Sequence, residues 1–326
     1  MHTESHRRGG ALLIVMWLAA ALSLIAFSLA VTVRGETERT STVLDGVRAY
    51  YLASGAVDRA ILYMLWGSQE VLPDGTPRYY AAWMNRLHFS FPSGDATVEI
   101  IPETAKLGLN SAPPDDLYRL LAALGASPEQ ATVVSMGIED WRRPSPDGTP
   151  SAFDRYYLSL TPSFLARHAS FEEVEELLLV RGVTRDLFFG GSIADSSGRL
   201  IRTPGLRECV SVYGSPGPVD VNSAPPPVLQ AVGLNPGTVA SIVTLRQQAP
   251  FRLPEQLDAF SSDPAAARLS IGAGRIFTLR ATAQLKLPGG SLSDLRRSVA
   301  ALVSFVPGMG GRPYRVLRWY DNVWVQ

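Results

Sequence analysis

The chain has 326 residues, 46% hydrophobic and 18% charged, with 30 basic side chains against 30 acidic ones. That length buries a substantial core and suits about two domains of roughly 150 residues each; the apolar content excludes wholesale disorder, and the zero net charge weighs against a chain whose main task is gripping nucleic acid. A lone cysteine, Cys209, excludes an internal disulfide and any Cys-cluster metal site.

Residues 9–33 carry no charge. As a helix they span about 37 Å at 1.5 Å per residue, enough to cross a hydrocarbon core of about 30 Å. His2, His6, Arg7 and Arg8 precede them, so the positive-inside tendency keeps the short N-terminus cytoplasmic and sends the rest across. Three readings of this segment stay open. One is a cleaved secretory signal, for which Ala19-Ala20-Ala21 offers small residues. A second is a plain signal anchor. The third rests on Arg7-Arg8-Gly9-Gly10, where a prepilin-type peptidase cuts and leaves the apolar helix on the mature chain.

Helical spacing continues past Arg34. Val43, Val47, Tyr50, Ser54, Val57, Ile61 and Met64 recur at intervals of four and three and form a stripe, with Asp45, Arg48, Asp58 and Arg59 on the wetter side. No proline interrupts the run before Pro73. One helix of about 55 residues is the economical reading, its first half in lipid and its second half laid on a globular head. A strand is expected just after it, at Thr97 to Ile101.

The centre contains an internal repeat. Leu109-Asn110-Ser111-Ala112-Pro113-Pro114 matches Val221-Asn222-Ser223-Ala224-Pro225-Pro226, and Leu117 and Leu229 follow at the same offset. Each copy has a Gly-x-x-Pro turn, Gly125 to Pro128 and Gly233 to Pro236, and closes with Phe-x-x-x-Glu-x-Leu: Phe171, Glu175, Leu177 and Phe251, Glu255, Leu257. Asn-Ser-Ala-Pro is expected to cap a helix and start its first turn. Each copy therefore reads as a strand end, a helix hairpin and a further helix. The unit resembles a helix-hairpin-helix, whose nucleic-acid-binding form needs hairpin amides supported by nearby Lys or Arg. No lysine lies near either hairpin and Arg246 is the nearest useful cation, so a structural role is favoured.

A strand at Cys209 to Tyr213 is expected next, with Cys209 buried as a small hydrophobe. From Ile276 the pattern alternates, with Phe277, Leu279, Ala281, Ala283, Leu285 and Leu287 on one face, and further strands follow at Leu295 to Val306 and Tyr314 to Tyr320. No His-Glu-x-x-His, Gly-x-Ser-x-Gly or phosphate loop is present, so catalysis is not expected. Glu172, Glu173, Glu175 and Glu176 read as a solvated helix start.

Taken in order, Arg8-Gly9-Gly10-Ala11-Leu12-Leu13, Tyr50-Tyr51-Leu52-Ala53-Ser54-Gly55-Ala56, Leu109-Asn110-Ser111-Ala112, Ile138-Glu139-Asp140-Trp141, Glu175-Glu176-Leu177-Leu178-Leu179-Val180-Arg181-Gly182-Val183, Val221-Asn222-Ser223-Ala224-Pro225 and the final strand with Trp319 resemble the type II secretion system protein K family, the largest minor pseudopilin. The resemblance implies an α+β fold: a pilin-like N-terminal helix, transmembrane then amphipathic, packed on an antiparallel sheet with a large helical insertion of helix-hairpin-helix-like (SAM-like) units. It divides the chain into a prepilin leader (1–9), a transmembrane helix (10–33), the pilin helix with the first strands (34–108), a helical insertion domain (109–220), and the second hairpin unit with the C-terminal sheet (221–326). Processing falls at Gly9, Gly10 and Ala11. Cleavage after Gly9 makes Ile14 the fifth mature residue, where most pilins carry a glutamate; cleavage after Gly10 puts Val15 there.

The implied function is that of a non-enzymatic minor pseudopilin at the tip of the secretion pseudopilus, initiating or capping assembly. It would sit in the inner membrane with its bulk in the periplasm. Its partners would be minor pseudopilins I and J (and H), the prepilin peptidase, the inner-membrane assembly platform, and the secretin and exoproteins. The alternatives are a membrane-anchored helix-hairpin-helix DNA-uptake protein and the corresponding minor pilin of a type IV pilus. No cofactor is required. Some members of the family bind calcium after the Asp-Trp pair, and Asp140, Asp147 and Asp154 are the carboxylates available for it here. Arg142, Arg143 and Phe153 depart from the family's acid-rich pattern.

Overall fold

A computed structural model of the chain describes residues 7–67, 69–145, 148–194, 198–214, 217–272, 274–306 and 313–323. The N-terminal apolar run and the amphipathic run after it form one helix, α1 (Arg7–Trp66), of 60 residues with no break at Arg34. Its first half is apolar all round and exposed, long and apolar enough to cross a membrane.

The buried face of the second half keeps Val57 and Ile61 of the expected stripe, adds alanines and leaves out its first two valines. Ala49, Ala53, Ala56, Val57, Ala60 and Ile61 are buried, whereas Val43 and Val47 are 61% and 48% exposed. Alanines let the helix axis come close to the sheet, and Val43 and Val47 lie on turns that precede the main contact. The partner surface is also small-sided, with Ala281, Ala283 and Ala301 beside Val98, Ile100, Leu279, Val299 and Val303. Tight approach of two short-side-chain faces gives close packing without voids.

That sheet has five antiparallel strands. β1 (Arg86–Phe91) and β2 (Gly94–Pro102) form a hairpin that the sequence pattern signalled only in its second strand. An insertion then leaves the sheet. It consists of a short strand β3 (Leu107–Gly108), helices α2 (Pro114–Ala123), α3 (Pro128–Arg142), α4 (Ala152–Leu158) and α5 (Arg185–Phe189), strands β4 (Gly191–Ala194) and β5 (Leu200–Thr203), helix α6 (Leu206–Cys209), strands β6 (Val210–Ser211) and β7 (Val219–Asp220), helices α7 (Pro226–Ala231) and α8 (Pro236–Gln248), and strand β8 (Leu269–Ser270). The chain returns as β9 (Ile276–Lys286), β10 (Leu292–Phe305) and β11 (Tyr314–Tyr320), giving the order β1-β2-β9-β10-β11. β9 buries Phe277, Leu279, Ala281, Ala283 and Leu285 as its alternation predicts; Leu287 lies past the strand end and is exposed.

The repeat is visible in space. β3 pairs in parallel with β6, and β7 with β8, so each unit opens and closes on a two-residue ladder. The flanking bonds also correspond: Leu109 N donates to Ser211 O at 2.8 Å, and Val221 N to Ser270 O at 2.9 Å. Gly125 (φ +89) and Gly233 (φ +100) turn the two hairpins in a backbone region open to glycine.

Two expectations are corrected here. Asn110 and Asn222 do not cap the helices, whose N-cap residues are Pro113 and Pro225, with no side-chain cap. The expected closing helices are 3-10 turns, Val174–Leu179 and Pro254–Phe260, and the side chain of Glu176 or Gln256 collects two main-chain N–H groups at their start. The insertion has its own core, including Leu117, Leu120, Val134, Ile138, Tyr157, Phe188, Leu229 and Ile242, separate from the core beneath α1.

Candidate functional site

Unit one carries segments that unit two lacks, and the polar cluster singled out by the sequence lies there. Ser151 starts α4 with a reciprocal cap: its Oγ accepts from Phe153 N and Asp154 N, and Asp154 Oδ2 accepts from Ser151 N at 2.9 Å. Ser151 Oγ donates in turn to Asp140 Oδ2 at 3.0 Å, joining α4 to the last turn of α3. His168 closes the cluster. Its Nε2 lies 2.9 Å from Asp154 Oδ2, and its Nδ1 lies 3.1 Å from the Arg143 carbonyl and 3.2 Å from the Asp140 carbonyl. Asp140, Asp154 and His168 thus bring one ligand-type atom each to within 4.8 Å of one another. Asp147 lies outside the described residues.

The electrostatics follow from burial and pairing. Burial opposes ionisation of Asp154, but hydrogen bonds from Ser151, His168 and Ala166 outweigh it and hold the carboxyl below its ordinary range. Burial likewise opposes a charged His168, and the bond to Asp154, the Arg143 carbonyl and the nearby aspartate charges leave it above its ordinary range. The Ser151 hydroxyl donates to Asp140 rather than to an imidazole, so the cluster lacks the connectivity of a hydrolytic triad.

Calcium takes six to eight oxygens. Among the described residues the cluster offers two carboxylates and an imidazole, and their facing atoms are already joined by hydrogen bonds. Among the described residues this donor set falls short of the oxygens calcium takes, and Asp147, the third expected carboxylate, lies outside them. Sequence reasoning missed His168, which lies 14 residues beyond Asp154 with no motif around it.

Three arginines near the hairpins are engaged by the protein's own acceptors. Arg246 donates to the carbonyls of Val221 and Ala224, Arg119 to that of Ala231, and Arg268 to Asp116 and the Val232 carbonyl. They bind the two units to themselves and to each other through α2 and α7, so these three cations are already paired within the protein. The acidic cluster is also more structural than its solvated reading. Glu176 accepts from Trp141 Nε1 at 3.3 Å, and Glu173 pairs with Arg318 of β11. Cys209 ends α6 rather than lying in a strand, and its buried thiol is pushed up to about 12.

Residues 103–189, which contain this whole cluster, match the family model of Type II secretion system (T2SS), protein K. The chain resembles type II secretion system protein K. The protein of that name from Klebsiella pneumoniae is 26% identical over 204 residues, covering 56% of this chain and 61% of that protein. The one from Pseudomonas aeruginosa is 28% identical over 170 residues, covering 51% of this chain and 46% of that protein. The matches thus span about half to three fifths of these protein K relatives. A chain in the crystal structure of the GspK-GspI-GspJ complex from the enterotoxigenic Escherichia coli Type 2 Secretion System shares the fold. It has a TM-score of 0.52 at 17% identity and covers 86% of this chain and 98% of that one. The protein K likeness thus joins the long helix, antiparallel sheet and helical insertion already described.

Proposed function

We propose that the chain is a minor pseudopilin of type II secretion, anchored in the inner membrane by the first half of α1 with its head in the periplasm. It acts through protein contacts rather than catalysis. The observation that carries this reading is the continuity of α1: one 60-residue helix runs from an apolar, exposed segment into the alanine face that seals the sheet. A cleaved secretory signal would have no reason to extend into the core of the mature head.

At the tip of a pseudopilus the subunit would start or cap assembly with the I, J and H minor pseudopilins. The complex named for the structural neighbour supports the first two of these. Ile14 or Val15 at the fifth mature position agrees with that place. A subunit without a carboxylate there cannot neutralise a neighbour's N-terminal amine in lipid, where an unpaired charge is costly. Processing by a prepilin peptidase after Gly9 or Gly10 leaves the helix intact.

N-terminal sequencing of the mature protein isolated from membranes tests the reading. A start at Gly10 or Ala11 is expected, together with co-purification of the I and J pseudopilins from detergent extracts. Loss of the entire apolar segment would overturn it.

A further inference from the structure

The five-stranded sheet is occupied differently at its two ends. The insertion leaves and rejoins it at one end, where Pro102 of β2 pairs with Phe277 of β9. At the other end β9 and β10 close on each other just past the Lys286–Leu292 pair. There Leu287 N donates to Ser291 O and Gly290 N to Leu287 O, both at 2.8 Å, and Gly290 takes the turn at φ +83. The contacts of α1 orient these ends. The Tyr63 ring meets Phe89 of β1 at 5.1 Å, and Leu52 lies over Gly94 of β2. Lower on the helix, the Arg297 guanidinium of β10 lies over the bare backbone of Gly46, where a Cβ would come within 3.1 Å of it. The helix therefore crosses the sheet obliquely and leaves it beside β10, at the end that carries the β9–β10 turn.

The turn reaches far in the same direction. Residues 33 to 46 of α1 drop about 20 Å from the head to the end of the uncharged run. Ala283 pairs with Arg297, and residues 283 to 289 span about 20 Å when extended. The oblique crossing takes off part of that reach, and the headgroup layer rises about 5–7 Å above the hydrocarbon core to meet it. Composition suits that level. Leu287 and Leu292 are 45% and 39% exposed, with Pro288 exposed between them. Arg296 and Arg297 are exposed behind this apolar tip, Lys286 is held by Asp95 at 3.2 Å, and Asp294 is the one acid from residue 286 to 297. An apolar tip backed by arginines suits the boundary between headgroups and acyl chains.

We propose that the β9–β10 turn is a second membrane contact. Leu287, Pro288 and Leu292 enter the headgroup layer of the leaflet from which α1 emerges, and Arg296 and Arg297 meet the phosphates of anionic lipids there. The head then leans on the membrane at a set angle instead of swinging about α1. The proposal rests on the reading that the first half of α1 spans the membrane.

Fluorescence quenching of the full chain in lipid nanodiscs tests it. Bimane is attached at Gly289→Cys, where an added side chain meets nothing within 4 Å. Gly237→Cys, equally open but in the insertion, is the distant site, and Leu22→Cys reports the apolar half of α1. The buried Cys209 stays unlabelled. In nanodiscs of mixed phosphatidylcholine and phosphatidylglycerol, a spin label on the lipid headgroup should quench Gly289→Cys strongly and Gly237→Cys little. Adding Arg296→Glu should lower the docked-to-undocked ratio at least about five-fold. Quenching at Gly289→Cys no greater than at Gly237→Cys, while an acyl-chain spin label quenches Leu22→Cys, would overturn the proposal and leave the anchor standing. An unquenched Leu22→Cys would overturn the anchor, and the proposal with it. Quenching at Gly289→Cys that is indifferent to Arg296→Glu or to leaving out phosphatidylglycerol would overturn the proposal as well.

Discussion

Asn222 closes a two-bond ring on the backbone of Phe251: its Oδ1 accepts from Phe251 N at 2.9 Å, and its Nδ2 donates to Phe251 O at 2.9 Å. Asn110 makes the same ring with Phe171 at 2.7 and 3.0 Å. Each ring ties the start of a unit to its closing turn across the hairpin. Removing the amide leaves a buried N–H and a buried C=O without partners, each costing about 1–3 kcal/mol. Asn222→Ala should therefore lose about 2–6 kcal/mol, and Asn110→Ala a similar amount. Urea denaturation of each variant checks this, and a loss confined to one unit would break the equivalence of the two rings.

Glu103 sits at the junction of sheet and insertion. Its carboxylate pairs with Lys106 at 2.9 Å and accepts from Thr278 of β9 at 2.6 Å and from Ser211 of β6. Burial opposes its charge, but Lys106 and the two hydroxyls outweigh that and hold the carboxyl below its ordinary range. A depressed carboxylate contributes stability that is complete above the ordinary glutamate value, about 4.3, and is lost as pH falls through the lower folded value. Glu103→Gln should thus cost about 2–3 kcal/mol at pH 7. The gap to wild type should shrink as the pH is lowered well under 4, measured by denaturant titration at each pH.

The helix–sheet seam is intolerant of bulk. Ala56 is fully buried against small partners. Ala56→Leu should destabilise the head by about 1–3 kcal/mol through overpacking, whereas Val47→Ala, at an exposed position, should change stability by less than about 0.5 kcal/mol. Melting of the two variants side by side decides whether the alanine face, and not the upstream Val43 and Val47, carries the contact.

Cys209 should be inert. Its thiol is fully buried and pushed up to about 12, so almost no thiolate exists at neutral pH. An aromatic disulfide reagent should label the native protein at least about 100-fold more slowly than free cysteine, and label it fully once guanidinium unfolds it.

Much of this architecture is legible in residue spacing. The uninterrupted apolar-to-amphipathic run gives α1, strict alternation gives β9, and the duplicated Asn-Ser-Ala-Pro segments give the two hairpin units. The errors have physical causes. Valines outrank alanines on any hydrophobicity scale, yet a close helix–sheet contact selects the smaller side chain, so Ala49, Ala53, Ala56 and Ala60 join Val57 and Ile61 of the expected stripe while Val43 and Val47 stay exposed. Asn110 and Asn222 have the chemistry of helix caps, and only their partners 61 and 29 residues away show that they are backbone clamps. His168 had no local pattern at all. Its role depends on the ends of two helices meeting it, a tertiary fact that spacing does not encode, and Asp147, expected with Asp140 and Asp154, lies outside the described residues.

The unbroken helix also fixes how the head would respond to load. At 1.5 Å per residue its 60 residues reach about 90 Å, and among them no proline offers a hinge. Tension entering at one end therefore runs along a continuous shaft and meets the sheet as shear, with every alanine contact required to slip together rather than peel one by one. Such a joint is strongest in the direction in which a pushed or pulled fibre would stress it.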